Sequence, residues 1–363
     1  MNVTIVLGLN GDIMNKKMII DCEYYFDNTR YSNSDIGYFL KHGPKSLKEY
    51  KNGGGVKLEG SFLEKGTMIH EYILQPDEFW KDYVILDFEI PKVKQQKDFC
   101  EAYASSLELL EDEKKLKAYR SSYNNTKVAK TALKEATELC DKYSQYIEYL
   151  KVKDDKKVIS FADLNMLKKI KANIEAHKKA NELLYNLPVT FECHNEFHIN
   201  WEKTFYTKAK IPTLIGDRDG VDEVKILCKS LLDRVCFDHV NKKIILIDLK
   251  TTQNVYNFAH SVEEYDYYRQ IAYYGLAIQW YMQEVLNLNS EEYDFEAYII
   301  AIGKDSNNEI RVFDMKDDTM LNNRIGLISN TLKRISWHIS TDQWEHTQEY
   351  YEADGVEELY INY

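Results

Sequence analysis

Asp248 and Lys250 stand two residues apart at the end of the apolar run 244–247, with no turn residue between the run and the charges. Because side chains on a strand alternate between its two faces, this carboxylate and this ammonium point to the same face. Such a pair can bind a cation and position a water molecule for hydrolysis. The alternative is a purely structural role, as a salt bridge at the end of a strand.

A second carboxylate, Asp233, lies upstream on another strand-like segment. If the hairpin loop is centred on Val240 and Asn241, Asp233 lies directly opposite Asp248, with the Cβ atoms roughly 5 Å apart. Two facing carboxylates destabilise a sheet unless a cation lies between them. The pattern therefore predicts a divalent cation, Mg²⁺ with Mn²⁺ as a substitute. A register slip of one residue would remove this pairing.

Three further polar residues occur in helical segments. Gln270 and Tyr274 are four residues apart and share a helix face, where they can hydrogen-bond the substrate backbone or Lys250. Tyr274 could equally be an ordinary core aromatic. His70 follows an apolar helical stripe, in which a histidine is more often a satisfied core residue than a ligand.

Basic residues flank the acidic pair. Lys229 and Arg269 could contact DNA phosphates, although either could be a solvated surface charge. Between Lys203 and Lys250 there are ten Lys and Arg against seven Asp and Glu, in a chain whose net charge is −12. Glu196 lies on the preceding strand, either as a structural charge or as a contact of the metal.

The elements that must position these residues follow from hydrophobic periodicity and turn signals. The stretch 66–79 predicts a helix that ends at Pro76. The stretch around 32–52 predicts a second helix, which is interrupted at Gly43-Pro44. Strands are predicted over 189–202, 224–239, 242–252, 293–304 and 309–315, and helices over 263–288 and 322–336. This is an α/β pattern, with a mixed sheet flanked by helices.

Three parts of the chain differ in character. Residues 1–96 are mixed and contain the His70 helix, residues 97–187 form a predicted helical insertion rich in Lys, Glu, Ala and Leu, and residues 188–363 carry the strands. The six cysteines are widely spaced, which favours reduced thiols over a metal site. No apolar stretch is long enough to span a bilayer and no signal peptide is evident, so a cytoplasmic location without membrane contact is expected.

The segment 228–252, followed by 265–278, resembles the PD-(D/E)XK nuclease superfamily, and within it the exodeoxyribonuclease VIII-like (RecE-like) phage exonucleases. The family's metal-binding Asp falls on Asp233, its D-x-K on Asp248 and Lys250, and its Q-x-x-x-Y on Gln270 and Tyr274. Its G-x-x-x-H helix falls on 66–70, and its N-terminal opening resembles 31–40.

The resemblance implies a PD-(D/E)XK nuclease fold and Mg²⁺-dependent hydrolysis of linear duplex DNA in recombination or DNA processing. His70, Asp233, Asp248 and the Leu249 carbonyl would bind the metal, and Lys250 would position water. A homo-oligomer and a single-strand annealing protein are the partners it points to. The rival functions are a structure-selective endonuclease of the same superfamily and a DNA-end-binding recombination module without activity.

Overall fold

The computed structural model describes residues 27–54, 61–85, 88–106, 109–123, 127–152, 157–211 and 218–357. The chain divides into two compact units. One combines the residues up to His70 with those from Ile170 onward, and the other is Glu71–Lys169. The second unit begins before residue 97 and ends before residue 187, so its bounds differ from those of the predicted insertion at 97–187. The predicted domain boundaries stay a prediction.

The first half of the chain is mostly helical, and the five strands of the larger sheet come later with helices between and after them. The helices are α1 (Asn33–Glu49), α2 (Ser61–Leu74), α3 (Pro76–Asp82), α4 (Lys94–Ala104), α5 (Glu111–Tyr123), α6 (Ala129–Lys142), α7 (Ser144–Val152), α8 (Phe161–Ala176), α9 (Lys178–Tyr185), α10 (Phe258–Glu264), α11 (Tyr267–Trp280), α12 (Asp318–Thr341) and α13 (Gln348–Glu352). The strands are β1 (Tyr83–Ile85), β2 (Lys157–Ile159), β3 (Glu192–Ile211), β4 (Arg218–Asp238), β5 (Lys243–Thr252), β6 (Asp294–Gly303) and β7 (Ile310–Asp314). None of the described helices is long and apolar enough to cross a membrane.

The larger unit is built on a five-stranded sheet in the order β3-β4-β5-β6-β7. All neighbours are antiparallel except β5 and β6, which are parallel. Helices α11 and α12 pack together and contact β3 and β4, and they share a buried core with the even-numbered residues of β5, such as Ile244 and Leu246. The predicted mixed sheet flanked by helices is confirmed.

The helix boundaries follow the local signals in the sequence. Ser32 caps α1 through a capping box with Asp35, which satisfies amide groups that have no partner within the helix. Gly43 interrupts α1 with a φ of 80°, a conformation that glycine adopts without steric cost. Helix α2 ends at Leu74, and Pro76 begins α3 as its first residue, where a missing amide hydrogen costs nothing.

The predicted register of the β4–β5 hairpin is confirmed. Arg234 pairs with Ile247 and Asp238 with Lys243, which is the register that the predicted loop at 240–241 requires. The pairing ends at Arg234, although β4 remains paired with β3 and β5 remains paired with β6 beyond that point. The two strands therefore separate at Asp233 and Asp248, and we call this point the fork.

The alternation of buried residues shifts by one position at the fork. Before it, Cys228 and Leu232 of β4 belong to the core of α11 and α12, and after it Val235 and Phe237 do. Strand β3 shows the same shift, because Phe197 is buried in this core while the ring of His194, three residues away, packs against it. Both strands thus carry a bulge-like irregularity at the same level, and the pairing register is unchanged across it.

The smaller unit is mainly helical. Helices α4, α5, α6 and α7 pack against one another, and β1 and β2 form a short parallel pair. Their core is aromatic and includes Phe99, Tyr103, Tyr119, Tyr143 and Tyr146.

One cysteine pair departs from the expectation of reduced thiols. Cys193 and Cys236 lie directly opposite each other on β3 and β4 and are joined as a disulfide. Spacing along the chain did not reveal this pair, because 43 residues separate the two and only the hairpin brings them together. Cys100, Cys140 and Cys228 are free thiols, and Cys22 lies outside the described residues.

Candidate metal and catalytic site

The fork brings the carboxylate of Asp233 to the edge of β5. The Leu249 amide donates a hydrogen bond of 2.7 Å to Asp233 Oδ2. The amide and carbonyl of one strand residue point to the same edge, so the Leu249 carbonyl also faces the fork. The structure therefore places Asp233, Asp248 and Leu249 together, as the sequence predicted, and their role as metal ligands stays a prediction.

His70 reaches the same place from the end of α2. Its Nδ1 atom lies 3.6 Å from Asp233 Oδ2, and both side chains are partly exposed. Four residues earlier, Gly66 lies close to the last residues of β5, since a Cβ atom there would be 3.6 Å from Thr251 Oγ1. One helical turn after that contact, the His70 imidazole is directed at the fork.

Glu196 completes this group, although its position in the sequence had marked it only as a secondary candidate. Its neighbours Asn195 and Phe197 pair with Arg234 and Leu232, so Glu196 lies opposite Asp233. Ligand atoms of His70, Glu196 and Asp233 all lie within 4.8 Å of one another. Glu196 has a φ of 48°, which is unusual for a residue with a side chain and is often found at functional sites.

Asp248 is buried and has contacts different from those of this group. Its Oδ1 accepts a hydrogen bond of 3.0 Å from Gln270 Nε2, and its Oδ2 lies 2.5 Å from Lys250 Nζ. Lys250 is therefore the charged partner of this buried oxygen. Burial raises the pKa of Asp248 to about 6, with Lys250 opposing the shift and Asp233 adding to it.

The charge of Lys250 is maintained by its neighbours. Burial alone would lower the pKa of its ammonium, but the carboxylates of Asp248 and Asp233 raise it above the usual value. The ring of Tyr267 lies on another side of the ammonium, with its centroid 5.2 Å from Nζ. Lys250 is therefore a cation at the fork, held between a carboxylate and an aromatic ring.

Gln270 and Tyr274 share a face of α11, as their spacing predicted. Gln270 Nε2 lies 3.0 Å both from Asp248 Oδ1 and from the Tyr274 hydroxyl. The partner of the amide is thus Asp248, whereas the sequence suggested Lys250 or the substrate. In this arrangement Gln270 orients the Asp248 carboxylate.

Lys229 lies on the same face of β4 as Asp233. Cys228 and Leu232 point into the core, so the odd-numbered residues between 229 and 233 point to the opposite face. The Lys229 ammonium donates to the Asp27 carbonyl at 3.1 Å. Burial is the main cause that lowers the pKa of Lys229; Lys51 adds to the shift, and Asp35 and Asp27 oppose it.

Arg269 is not positioned to contact DNA, which corrects the sequence prediction. It is buried, and its guanidinium Nη1 donates to the backbone carbonyl and the side chain of Asn33 at 2.5 and 2.6 Å. A Cβ atom on Gly37 would lie 2.7 Å from its Nη2, so this glycine allows the close approach. Arg269 is one position before Gln270, about 100° round the helix, and therefore fastens α11 to α1.

The donor set at the fork suits a hard divalent cation. Imidazole and carboxylate groups bind Mn²⁺, and carboxylates with a backbone carbonyl are the ligands that Mg²⁺ prefers. The like charges of Asp233 and Glu196 on facing strands, with the buried Asp248 carboxylate close to Asp233, are conditions that a cation would relieve. The residues present therefore fit the metal that the resemblance implies.

A first prediction concerns Glu196. We expect Glu196→Gln to weaken Mn²⁺ binding by about tenfold, since the amide keeps the shape but loses the charge. Glu196→Gly should weaken binding at least as much while raising thermal stability, because glycine adopts a positive φ without strain. Calorimetric titration and thermal unfolding measure both effects. Unchanged Mn²⁺ affinity in both variants would exclude Glu196 as a ligand.

A comparison with known protein families agrees with this fold. Residues 218–353 match a family described as a PDDEXK-like domain of unknown function (DUF3799). A solved structure of a candidate exonuclease from Eubacterium rectale shares 13% identity, covers 95% of this chain and 97% of its own, and has a TM-score of 0.42. A likeness at that level supports no functional inference. None of the curated proteins matches the chain.

Proposed function

We propose that the protein is a metal-dependent deoxyribonuclease, and more narrowly an exonuclease acting on linear duplex DNA. The match of residues 218–353 to a family described as a PDDEXK-like domain supports this proposal. The observation that carries the proposal is the convergence of His70, Asp233 and the Asp248–Lys250 pair at one fork in the sheet. This combination of metal donors and a charged lysine is what phosphodiester hydrolysis requires. The exonuclease specificity rests on the resemblance of the motifs alone.

Each residue at the fork has a part in this proposal. Asp233, Asp248, His70, Glu196 and the Leu249 carbonyl would hold Mg²⁺ or Mn²⁺. When bound, the cation polarises the phosphate and makes water a better nucleophile at neutral pH. Lys250 would orient that water and stabilise the negative charge that develops on the phosphate. Gln270 keeps Asp248 in place through its 3.0 Å hydrogen bond.

The face of β4 that carries Asp233 gives the proposed course of the DNA strand. Lys229 is four residues from Asp233 on this face, roughly 13 Å along the strand, which corresponds to a few nucleotides. Arg30 lies next to it, with its Nη1 atom 3.4 Å from the Cys228 carbonyl. In a protein of net charge −12, Lys229 and Arg30 would supply positive charge to the phosphates, and Arg30 also lies 3.8 Å from Asp27.

A role in phage-type recombination, a single-strand annealing partner, homo-oligomerisation and a cytoplasmic location belong to the same proposal. They follow from the resemblance to RecE-like exonucleases. A ring-like oligomer would enclose DNA and would compensate for the acidic surface of each copy.

A second prediction tests the need for DNA ends. We expect end-labelled linear duplex to be degraded in Mg²⁺, and covalently closed circular duplex of the same sequence to stay intact. The physical reason is that an exonuclease engages its substrate through a terminus. Gel analysis of both substrates in one reaction makes the comparison internal.

The same experiment separates the rivals. Equal cutting of circle and linear duplex would favour a structure-selective endonuclease. Binding of ends without any cleavage, in Mg²⁺ and in Mn²⁺, would favour the non-catalytic DNA-end-binding module.

A further inference from the structure

Tyr267 contacts the lysine at the fork and is outside the motifs that the sequence singled out. Lys250 Nζ lies 5.2 Å from the centroid of its ring, within the distance of about 6 Å over which aromatic rings attract cations. Tyr267 begins α11, three residues before Gln270, so both side chains lie on the helix face that meets β5. One helix face thus contacts both members of the Asp248–Lys250 pair.

The position of the Tyr267 ring is fixed by its surroundings. The buried ring of Phe258 packs against it, with the centroids 5.8 Å apart. The preceding residue, Asp266, is held by Arg324 at 2.7 Å and by Arg269 at 3.4 Å. Tyr267 therefore presents a preorganised surface to Lys250.

The two partners of Lys250 differ in what a metal does to them. Asp248, whose Oδ2 lies 2.5 Å from the ammonium, would become a ligand of the divalent cation. A cation bound there repels the ammonium and removes its charged partner. The Tyr267 ring has no carboxylate to offer the metal, so its attraction for Lys250 persists when Asp248 is occupied.

We propose that Tyr267 is a positioning residue that keeps the Lys250 ammonium beside the reacting phosphate once Asp248 binds metal. This inference rests on the proposed nuclease function. It assigns to the ring, and not to the hydroxyl, the task of holding Lys250 at the fork while the lysine exchanges Asp248 for the substrate.

The test compares Tyr267→Leu with Tyr267→Phe. Under single-turnover conditions with saturating DNA and Mg²⁺, the leucine variant should cleave on the order of tenfold more slowly. The phenylalanine variant keeps the ring and should cleave at the wild-type rate. DNA affinity in Ca²⁺ should be the same for all three proteins. Tyr268→Leu, which removes the next ring along the same helix, is the matched control and should retain activity.

A second measurement does not depend on cleavage. Without the ring, Lys250 depends more on the Asp248 carboxylate and competes more strongly with the cation, so Mn²⁺ affinity should fall several-fold in Tyr267→Leu but not in Tyr267→Phe. In a Lys250→Ala background, Tyr267→Leu should have no further effect on Mn²⁺ affinity. If the wild-type protein cleaves no DNA, the nuclease proposal fails, while this titration still tests the link between Tyr267 and Lys250.

Three results would overturn the inference. The first is a Tyr267→Leu variant that cleaves DNA and binds Mn²⁺ like the wild type. The second is an equal loss in Tyr267→Phe, which would assign the role to the hydroxyl. The third is an equal loss in Tyr268→Leu or in the Lys250→Ala background, which would indicate a general effect on helix packing.

Discussion

Lys250→Ala is expected to abolish DNA cleavage while leaving DNA binding in place. Lys250 lies at the fork between Asp248 and Tyr267 and carries a positive charge. A cation in this position interacts mainly with the charge that develops on the phosphate during the reaction. Its loss should therefore reduce the single-turnover rate by on the order of 10²-fold or more.

The measurement is cleavage at saturating DNA, paired with DNA affinity in Ca²⁺. Lys243→Ala is the matched control, because Lys243 lies at the opposite end of the same strand, where it forms an ion pair with Glu296. Lys250→Arg should not restore the rate, since the planar guanidinium differs in shape and retains its proton. Cleavage near the wild-type rate in Lys250→Ala would mean that the Asp248–Lys250 pair is only a salt bridge at the end of a strand.

Asp233→Asn should remove the metal site. Asp233 is the residue that links the parts of the fork, since its carboxylate lies 3.6 Å from His70 and accepts the Leu249 amide at 2.7 Å. Loss of residues that only support metal ligands commonly costs 10–100-fold in affinity, so loss of this carboxylate should cost at least about 100-fold. Mg²⁺-dependent cleavage should disappear with it.

Calorimetric titration with Mn²⁺ measures this loss without DNA. Asp222→Asn, an exposed site on the same strand β4, is the control for a change of charge alone. Asp248→Asn should also weaken binding, and the asparagine can still accept the hydrogen bond from Gln270. If Mn²⁺ affinity is unchanged in both Asp233→Asn and Asp248→Asn, the fork is not the metal site.

The β4–β5 hairpin could be predicted from the sequence because the position of its loop is enough to determine its register. The loop at 240–241 fixes the register, and the register then decides which residues face each other. The apolar run before Asp248 identified a buried strand, and it is buried in the structure. Helix starts and stops at Ser32 and Pro76 followed from capping and from the geometry of proline.

Glu196 was undervalued because nothing in its local sequence marks the shift in alternation. A glutamate in a strand-like segment reads as a solvent-facing charge, and the positive φ that turns it toward Asp233 depends on the pairing with β4. The disulfide between Cys193 and Cys236 was not predicted for a related reason, because only the β3–β4 register makes the two cysteines neighbours.

Arg269 and Tyr267 were within reach of simple helix geometry. Once Gln270 is placed on the face toward the fork, the residue before it lies about 100° away and the residue three before it lies on the same face. This assigns Arg269 to the interior and Tyr267 to Lys250, as the structure shows. Closeness to Gln270 along the chain suggested that Arg269 contacts DNA, whereas the helix face correctly places it away from the fork.

The matched irregularities of β3 and β4 also constrain how this hairpin can change in length. Deleting Glu196 alone would leave the irregularity of β4 unmatched and would slip the β3–β4 pairing by one residue on one side of it. Deleting one residue from each strand at this level would restore a regular pleat, but it would remove the turn that directs Glu196 and Asp233 to the fork. Beyond the fork, between Phe197 and Leu232, residues added or removed in matched pairs would keep both faces. Length variation among natural relatives of this chain should therefore be found toward the tip of the hairpin, and the level of Glu196 and Asp233 should be free of insertions and deletions.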